Sequence, residues 1–375
     1  MIKKIAHITT VHYRYDVRIH YKYCKTLSEE KDFKVFQVVS DGLGPENFDN
    51  LSVIDLGSIR FGRIGRFFLG NIKVINYCLK TKMDLFHFHD PELLPSISLL
   101  KLFGKKVVFD MHENFPSQIL TKSYLPKLIR VALSNTVKFF QNVLFKFIPV
   151  IFAEHSYVKH FKTVKHKETI LNYPLKKEFN SISEVKMSEF TLGYMGSVTF
   201  ERGVLVMLEV VSELRRKGRN ISIIFVGPMD DNITDIDIVK RGVSEGWAVF
   251  KGRLKAKDGW RLMAQCHIGM AVLKNSPNFI ESYPTKLFEY MLLKLPIITS
   301  NFPLYKKIID DAKCGIVVDP ASNEEICSAI LEIENDETKQ MVMGENGKKT
   351  AIEKYSWETS ELTKIKTFYN KVNHS

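Results

Sequence analysis

Residues 281–300, ESYPTKLFEYMLLKLPIITS, hold the fold in miniature: a loop with Glu281, Pro284 at a helix start, a helix, and then an apolar strand. Proline suits a first helical turn, because its ring presets the backbone angle and its missing N–H would be unpaired there anyway. The same grammar runs along the whole chain. KKIAHITTV, FKVFQVVS, DLFHFHD, KKVVFDM and PVIFAE come first, then FTLGYMG, ISIIFVG, WAVFKG, HIGMAVL, LPIITS and CGIVVD, each followed by a longer helical pattern. Strands alternating with helices build parallel sheets. The unbroken apolar character of VVF, IIFV and PIIT puts those strands under helices on both faces, as in doubly wound sheets. Eleven such strands exceed what one sheet usually holds, and NYPLKKEFNSISEVKMS (172–188) interrupts the alternation. The prediction is an α/β protein of two Rossmann-like, doubly wound parallel-sheet domains, residues 1–173 and 174–357, with the C-terminal helix of 358–375 packing back on the first. Open α/β sheets bind ligands beyond the carboxyl ends of their strands, so the two domains are expected to face a central cleft.

With 45% apolar residues in 375, the chain lies outside the disordered range. Its 54 Lys and Arg against 42 Asp and Glu leave a net charge of +12, which calls for an anionic partner: phosphates, an anionic membrane surface or nucleic acid. Cys24, Cys78, Cys266, Cys314 and Cys327 are odd in number, scattered and without a Cys-x-x-Cys pair, which excludes a disulfide framework or a zinc site and fits a reducing compartment. The N-terminal apolar stretch is broken by His7, Thr9 and Thr10, too short and polar for a signal peptide, so a cytoplasmic location is expected.

The helix start at Pro284 leaves the amides of about Tyr283–Lys286 unpaired at the positive end of a helix dipole, with Thr285 and Lys286 adding side-chain donors. That is a preformed anion site. Glu289 lies roughly 7.5 Å further along the helix axis at about 1.5 Å per residue, a reach suited to ribose hydroxyls on a diphosphate held at the N-terminus. For an arbitrary pair of glutamates at this spacing, helix-surface charge is the reading the residues alone favour for Glu281 and Glu289. A second loop, in FTLGYMGSVTFERGV (190–204), places Gly196, Ser197, Arg202 and Gly203 between a strand and a helix. Such glycine loops approach phosphates closely, and Arg202 at the helix entrance suits an anion; a plain tight turn explains the same residues.

Gly196-x5-Arg202-Gly203, then IIFVG (223–227), VFKG (249–252) and Glu281-x7-Glu289 leading into EYMLLKLPIIT, resemble in order and spacing the C-terminal half of family-4 glycosyltransferases of the GT-B fold. LFHFHDPELLP (85–95), VVFDMHENFP (107–116) and ILNYP (170–174) resemble the N-terminal half of bacterial members that build surface polysaccharides such as capsule and lipopolysaccharide, and the likeness runs to Tyr355-Ser-Trp357. The resemblance implies transfer of a sugar from a nucleotide-diphosphate donor to an acceptor hydroxyl, with retention and without an obligatory metal or cofactor. It assigns Glu289 to the ribose, Glu281 to the donor sugar, the amides near Thr285 to the diphosphate, Arg202 to the leaving nucleotide and His112 to the cleft histidine. Many relatives have a second basic residue where this chain has Ser197, a place Lys286 can take, and Lys294 stands where a Gly is frequent.

His12, Asp16 and Arg18 after the first strand, and His89, Asp90 and Glu92 after DLFHF, are polar residues at strand ends that frame an acceptor site or, equally, serve as turn and cap residues. Arg60, Arg63 and Arg66 among Phe61, Phe67 and Phe68 in residues 60–73 suit lipid phosphates. Residues 128–153 place Arg130, Lys138 and Lys146 among phenylalanines, without the run of about 18 apolar residues a span needs. An interfacial helix and a core helix with a basic face explain that pattern equally well. Together the two stretches point to peripheral docking on an anionic membrane to reach a lipid-linked glycan acceptor. No nucleic-acid recognition module accompanies the charge. The rival readings are a sugar-nucleotide epimerase of the same architecture and a non-catalytic basic membrane- or nucleic-acid-binding protein.

Overall fold

The computed structural model describes residues 2–59, 62–122, 126–183 and 185–374. Arg60 and Phe61 lie outside the described residues. The chain divides into two compact units, residues 1–172 with 361–375 and residues 173–360.

The first unit is built on β1 (Lys3–Ile8), β2 (Phe33–Val39), β3 (Glu46–Phe48), β4 (Leu51–Asp55), β5 (Leu85–Phe88), β6 (Val107–Met111), β7 (Val150–Phe152) and β8 (Lys167–Thr169). Their order in the sheet is β3-β4-β2-β1-β5-β6-β7-β8, parallel except for the β3–β4 pair. The second unit has β9 (Phe190–Met195), β10 (Ile221–Val226), β11 (Ala248–Phe250), β12 (Ile268–Ala271), β13 (Ile297–Ser300) and β14 (Gly315–Val318), all parallel, in the order β11-β10-β9-β12-β13-β14. Every residue of β6 and β10 is buried, as continuous apolar strands covered on both faces require. The eleven expected strands are joined by β3, β4 and β8. β3 and β8 are three-residue sheet edges with polar faces in solvent, and β4 leaves Ser52, Ile54 and Asp55 half-buried, so none forms a continuous apolar run.

Both sheets reverse direction at a central strand. β1 pairs with β2 on one side and β5 on the other, and β9 pairs with β10 and β12. The chain leaves such neighbouring strands toward opposite faces, which opens a crevice beyond their carboxyl ends. The helices that matter below are α1 (Leu94–Leu102), α2 (Lys127–Leu144), α3 (Val204–Arg216), α4 (Thr285–Leu292) and α5 (Leu362–His374). Among the described residues no helix is long and apolar enough to cross a membrane.

The second core packs Met207, Leu208 and Val211 of α3 against Leu192, Ile223, Phe225 and Met270 of the strands. Helix α4 is fixed by Tyr290. Its ring takes the space that a side chain on Gly269 would fill, since a Cβ there would stand 2.5 Å from the ring, and its hydroxyl accepts from the Met195 amide at 2.8 Å. The start of α4 is thereby held at the end of β9. Pro284 is the residue preceding the first turn (φ −79°, ψ 105°), one place earlier than the sequence suggested. Lys294 has φ 55°, a left-handed conformation that glycine adopts more readily than lysine.

Gly227, after β10, has φ +148°, and a Cβ there would lie 1.9 Å from the Gly196 carbonyl oxygen. The loops after β9 and β10 touch through bare backbone. Gly227→Ala is expected to destabilise the fold by about 2 kcal/mol or more. Urea unfolding followed by circular dichroism checks this, and an unchanged midpoint contradicts it.

Candidate functional site

In the second unit the loop after β9 meets the start of α4 in a cradle of positive charge. Gly196 has φ +142°, and the point where its Cβ would stand is 3.2 Å from the Arg202 Nη1, 3.2 Å from the Lys286 Nζ and 3.3 Å from the Tyr194 hydroxyl. Only glycine leaves that space open. The Lys286 Nζ lies 3.9 Å from the Tyr194 ring centroid and, although buried, has no hydrogen-bond partner. Burial, then the charge of Arg202, hold its pKa well below the usual lysine value, against a weaker pull from Glu289. The Arg202 guanidinium stacks over Phe279 at 5.6 Å. The Tyr194 hydroxyl donates to the Ser197 carbonyl at 2.9 Å, which orients the loop. A buried ammonium with no hydrogen-bond partner among the described residues, converging with a guanidinium, is what a diphosphate binds to.

Thr285 opens α4 and no side chain caps that helix, so its first amides stay available. Glu289 is half-buried on α4 and Glu281 is exposed in the segment before it. A second concavity of about 550 Å³ lies beyond the ends of β12–β14, lined by Lys274, Asn275, Ile280, Asn301 and Asp319 among others.

In the first unit the polar cluster gathers beyond β1, β5 and β6. The His12 Nδ1 meets the Asp90 carboxylate at 2.8 Å. Asp90 is fully buried and also accepts from the Thr9 and Thr10 hydroxyls at 3.0 and 3.2 Å and from the Thr10 amide. Burial would lower the His12 pKa, but the hydrogen bond and charge of Asp90 outweigh it and raise it. Burial works the other way on Asp90, where the bond from His12 prevails and lowers the pKa. Arg18 grips the buried Asp110 with Nε and Nη2, both at 3.0 Å, and donates to the Ile170 carbonyl at 2.9 Å. Against its own burial, the Arg18 charge and then His112 hold the Asp110 pKa well below the usual carboxylate range. The His112 Nε2 sits 3.1 Å from Asp110 and 3.0 Å from the His89 Nδ1, and its ring lies 5.0 Å from that of His12. Asp16 accepts from the Arg18 and Ile19 amides at 2.8 and 2.9 Å, capping the π-helical segment Val17–Lys25. Glu92 faces Arg66 at 3.5 Å.

Behind this surface runs a file of buried histidines. The His89 Nε2 contacts the His7 Nδ1 at 3.0 Å, while the His87 Nδ1 meets the Tyr369 hydroxyl of α5 at 2.6 Å. Burial, followed by the neighbouring imidazoles, holds His7 and His87 well below 6.5 and brings His89 down to about 4.

Residues 176–350 match the glycosyl transferases group 1 family. That domain contains the cradle, α4 and both glutamates. Over 165 residues the chain is 25% identical to the alpha-D-kanosaminyltransferase of Streptomyces kanamyceticus, covering 44% of this chain and 41% of that protein. Over 181 residues it is 21% identical to the capsular polysaccharide biosynthesis glycosyltransferase CapM of Staphylococcus aureus, covering 46% and 45%. The chain thus spans less than half the length of these relatives. Among solved structures, a glycosyltransferase from Rickettsia africae superposes with a TM-score of 0.74 at 14% identity, covering 99% of this chain and 98% of that one. Sucrose-phosphate synthase from Thermosynechococcus elongatus gives 0.73 at 13%, covering all of both chains, and Anabaena HepE in complex with UDP gives 0.69 at 13%, covering 99% and 100%. The fold is GT-B.

Asp110, Thr9, Tyr194, His7 and His87 belong to these clusters and were not singled out from the sequence. The alternation in FHFHD carried a signal for two of the histidines, since residues two apart on a strand share a face. For Asp110 and Tyr194, inside apolar strands, no local signal exists.

Unfolded, His7, His87 and His89 titrate near about 6.5; folded, they stay neutral to lower pH. Below about pH 6.5 the unfolded chain therefore binds more protons, and stability falls as pH drops toward about 4, by up to about 1.4 kcal/mol per pH unit for each histidine. His12, whose pKa is raised, acts oppositely, its contribution fading as pH rises past its folded pKa. Urea midpoints at pH 7.5, 6 and 5 are expected to fall in that order, and equal midpoints contradict the buried neutral file.

Proposed function

We propose that this chain is a family-4 retaining glycosyltransferase, which moves a sugar from a nucleotide-diphosphate donor to a lipid-linked glycan acceptor in surface-polysaccharide assembly. The observation that carries the reading is the buried Lys286 ammonium without a partner, converging with Arg202 on the open face of Gly196. Breaking a glycosyl–phosphate bond leaves negative charge on the departing diphosphate while positive charge builds at the anomeric carbon. Fixed cations and helix amides aimed at that diphosphate stabilise the transition state without reorganising.

In this reading Arg202, Lys286 and the amides at Thr285 bind the diphosphate, with Gly196 and Ser197 giving it room, Glu289 accepts from the ribose hydroxyls, and Glu281 takes donor-sugar hydroxyls. His112 contacts the reacting group, and His12, Asp16, Arg18, His89, Asp90 and Glu92 form the acceptor side. Within that group Asp16 and Arg18 act from behind, through the cap and the Asp110 pair. The protein works in the cytoplasm at the inner face of the membrane, which it touches through residues 60–73 and 128–153. UDP in HepE and the polysaccharide role in the name of CapM favour a nucleotide donor and a glycan product.

A thermal-shift panel of nucleoside diphosphates and nucleotide sugars tests the reading, because a ligand at 100 times its Kd adds about 2.7 kcal/mol of stability. One base is expected to raise the unfolding temperature, and a flat panel sinks the proposal. An isomerised sugar without released nucleotide would identify an epimerase instead. Glu289→Ala and Glu281→Ala are each expected to lower transfer at least about a hundredfold, measured as nucleotide release. Because Lys286 is held well below its usual pKa until an anion arrives, nucleotide binding should take up protons and weaken as pH rises toward the usual lysine range. Calorimetry in buffers of different ionisation enthalpy reads this uptake, and Lys286→Met should abolish it.

A further inference from the structure

Helix α2 is built inside out. Its buried positions are Ser134 and Gln141, two turns apart on one face, while Leu128, Phe139 and Phe140 stand 85%, 65% and 59% exposed. Ser134 donates to the Pro116 carbonyl at 2.8 Å, but neither polar atom of the buried Gln141 amide has a hydrogen-bond partner. A water-facing helix places these residue types the other way round. A buried amide left unpaired is costly, which implies a group that it waits for.

Gln141 lines an apolar groove of about 450 Å³, whose other walls include Phe67, Leu94, Phe115, Val137 and Phe140. That is within the roughly 300–1,000 Å³ of small-molecule sites. Two features give the groove a direction. Pro91, on its wall, directly follows Asp90, and Phe115 comes three residues after His112, so the groove begins where the polar cluster of the first unit ends. Charge gives it a partner: beside the groove α2 carries Lys127, Arg130 and Lys138, Lys146 follows it, residues 127–153 contain no acid, and the carboxylate on the groove wall, Glu92, faces Arg66 at 3.5 Å. Exposed Ile64, Phe68 and Leu69 extend the apolar surface beside Phe67.

We infer that this groove seats the hydrocarbon chain of a prenyl-phosphate-linked acceptor, with Gln141 hydrogen-bonding an oxygen of its head and the glycan lying toward His12, Asp90 and His112. The chain is covered by the aromatic walls, the phosphate is matched by the basic residues of α2, and the orphan amide gains an acceptor for its Nε2 donors. The word acceptor rests on the glycosyl-transfer reading; the groove does not.

The test uses the full chain and farnesyl phosphate, kept below its micellar concentration, as the probe, with binding read by calorimetry. Saturable binding is expected for the wild type. Val137→Trp and Ser98→Trp, which fill the groove from α2 and from α1, should each weaken it at least tenfold. Gln141→Leu should raise the unfolding temperature, by removing the orphan amide, and yet weaken the probe severalfold, a pair of opposite signs that simple damage to the fold does not produce. Sedimentation with phosphatidylglycerol vesicles should be unchanged in Val137→Trp, since bilayer contact uses the outward phenylalanines. No saturable binding by the wild type, equal binding by both tryptophan variants, or full displacement of the probe by phosphatidylglycerol would overturn the assignment, the last by showing that the groove takes ordinary phospholipid. Thermal shift with UDP, GDP and dTDP runs alongside. Probe binding with no nucleotide shift keeps the groove and removes the transferase reading, whereas a nucleotide shift without probe binding does the reverse.

Discussion

A lysine ammonium without an anion, enclosed by protein, is the constraint to which the second unit answers. Lys286 is buried against Tyr194 and beside Arg202, an arrangement that costs free energy in the charged free protein and is relieved when the amine gives up its proton or when negative charge enters. Much of the local structure maintains that arrangement. Gly196 keeps the space clear, Gly227 lets the neighbouring loop lie against it, and Gly269 admits the Tyr290 ring that fixes α4 to the end of β9. The glycines are backbone solutions to one packing problem.

The first unit satisfies its buried charges internally. Asp110 is matched by Arg18 and Asp90 by His12 and two threonines, so both carboxylates stay ionised in the interior. Behind them, imidazoles with depressed pKa values fill a polar layer without adding charge. The difference matters chemically. One unit presents cations awaiting an anion, whereas the other presents a preorganised histidine and carboxylate surface suited to hydroxyls.

The two-domain parallel architecture was legible because strands covered on both faces must be apolar throughout, as VVF and IIFV are. β3, β4 and β8 were not, since edge strands and half-exposed strands lack that run. The helix start before Thr285 could be read from Pro284, with an error of one residue that follows from proline being acceptable on either side of the boundary. Gln141 gave no warning, because a polar residue in a basic apolar helix reads as part of the solvated face, and here it is the apolar residues that face solvent.

By itself the sequence determined the alternation of strands and helices and the start of the helix after Pro284, because periodicity, turn residues and helix-start signals act over a few neighbouring positions. Only the tertiary structure decided which loops share a crevice. His12 meets Asp90 across 78 positions, Arg18 meets Asp110 across 92, and Lys286 reaches the loop of Gly196. Those meetings follow from strand order, with β1 beside β5 and β9 beside β12, and strand order is set by how whole faces pack, which no local pattern records.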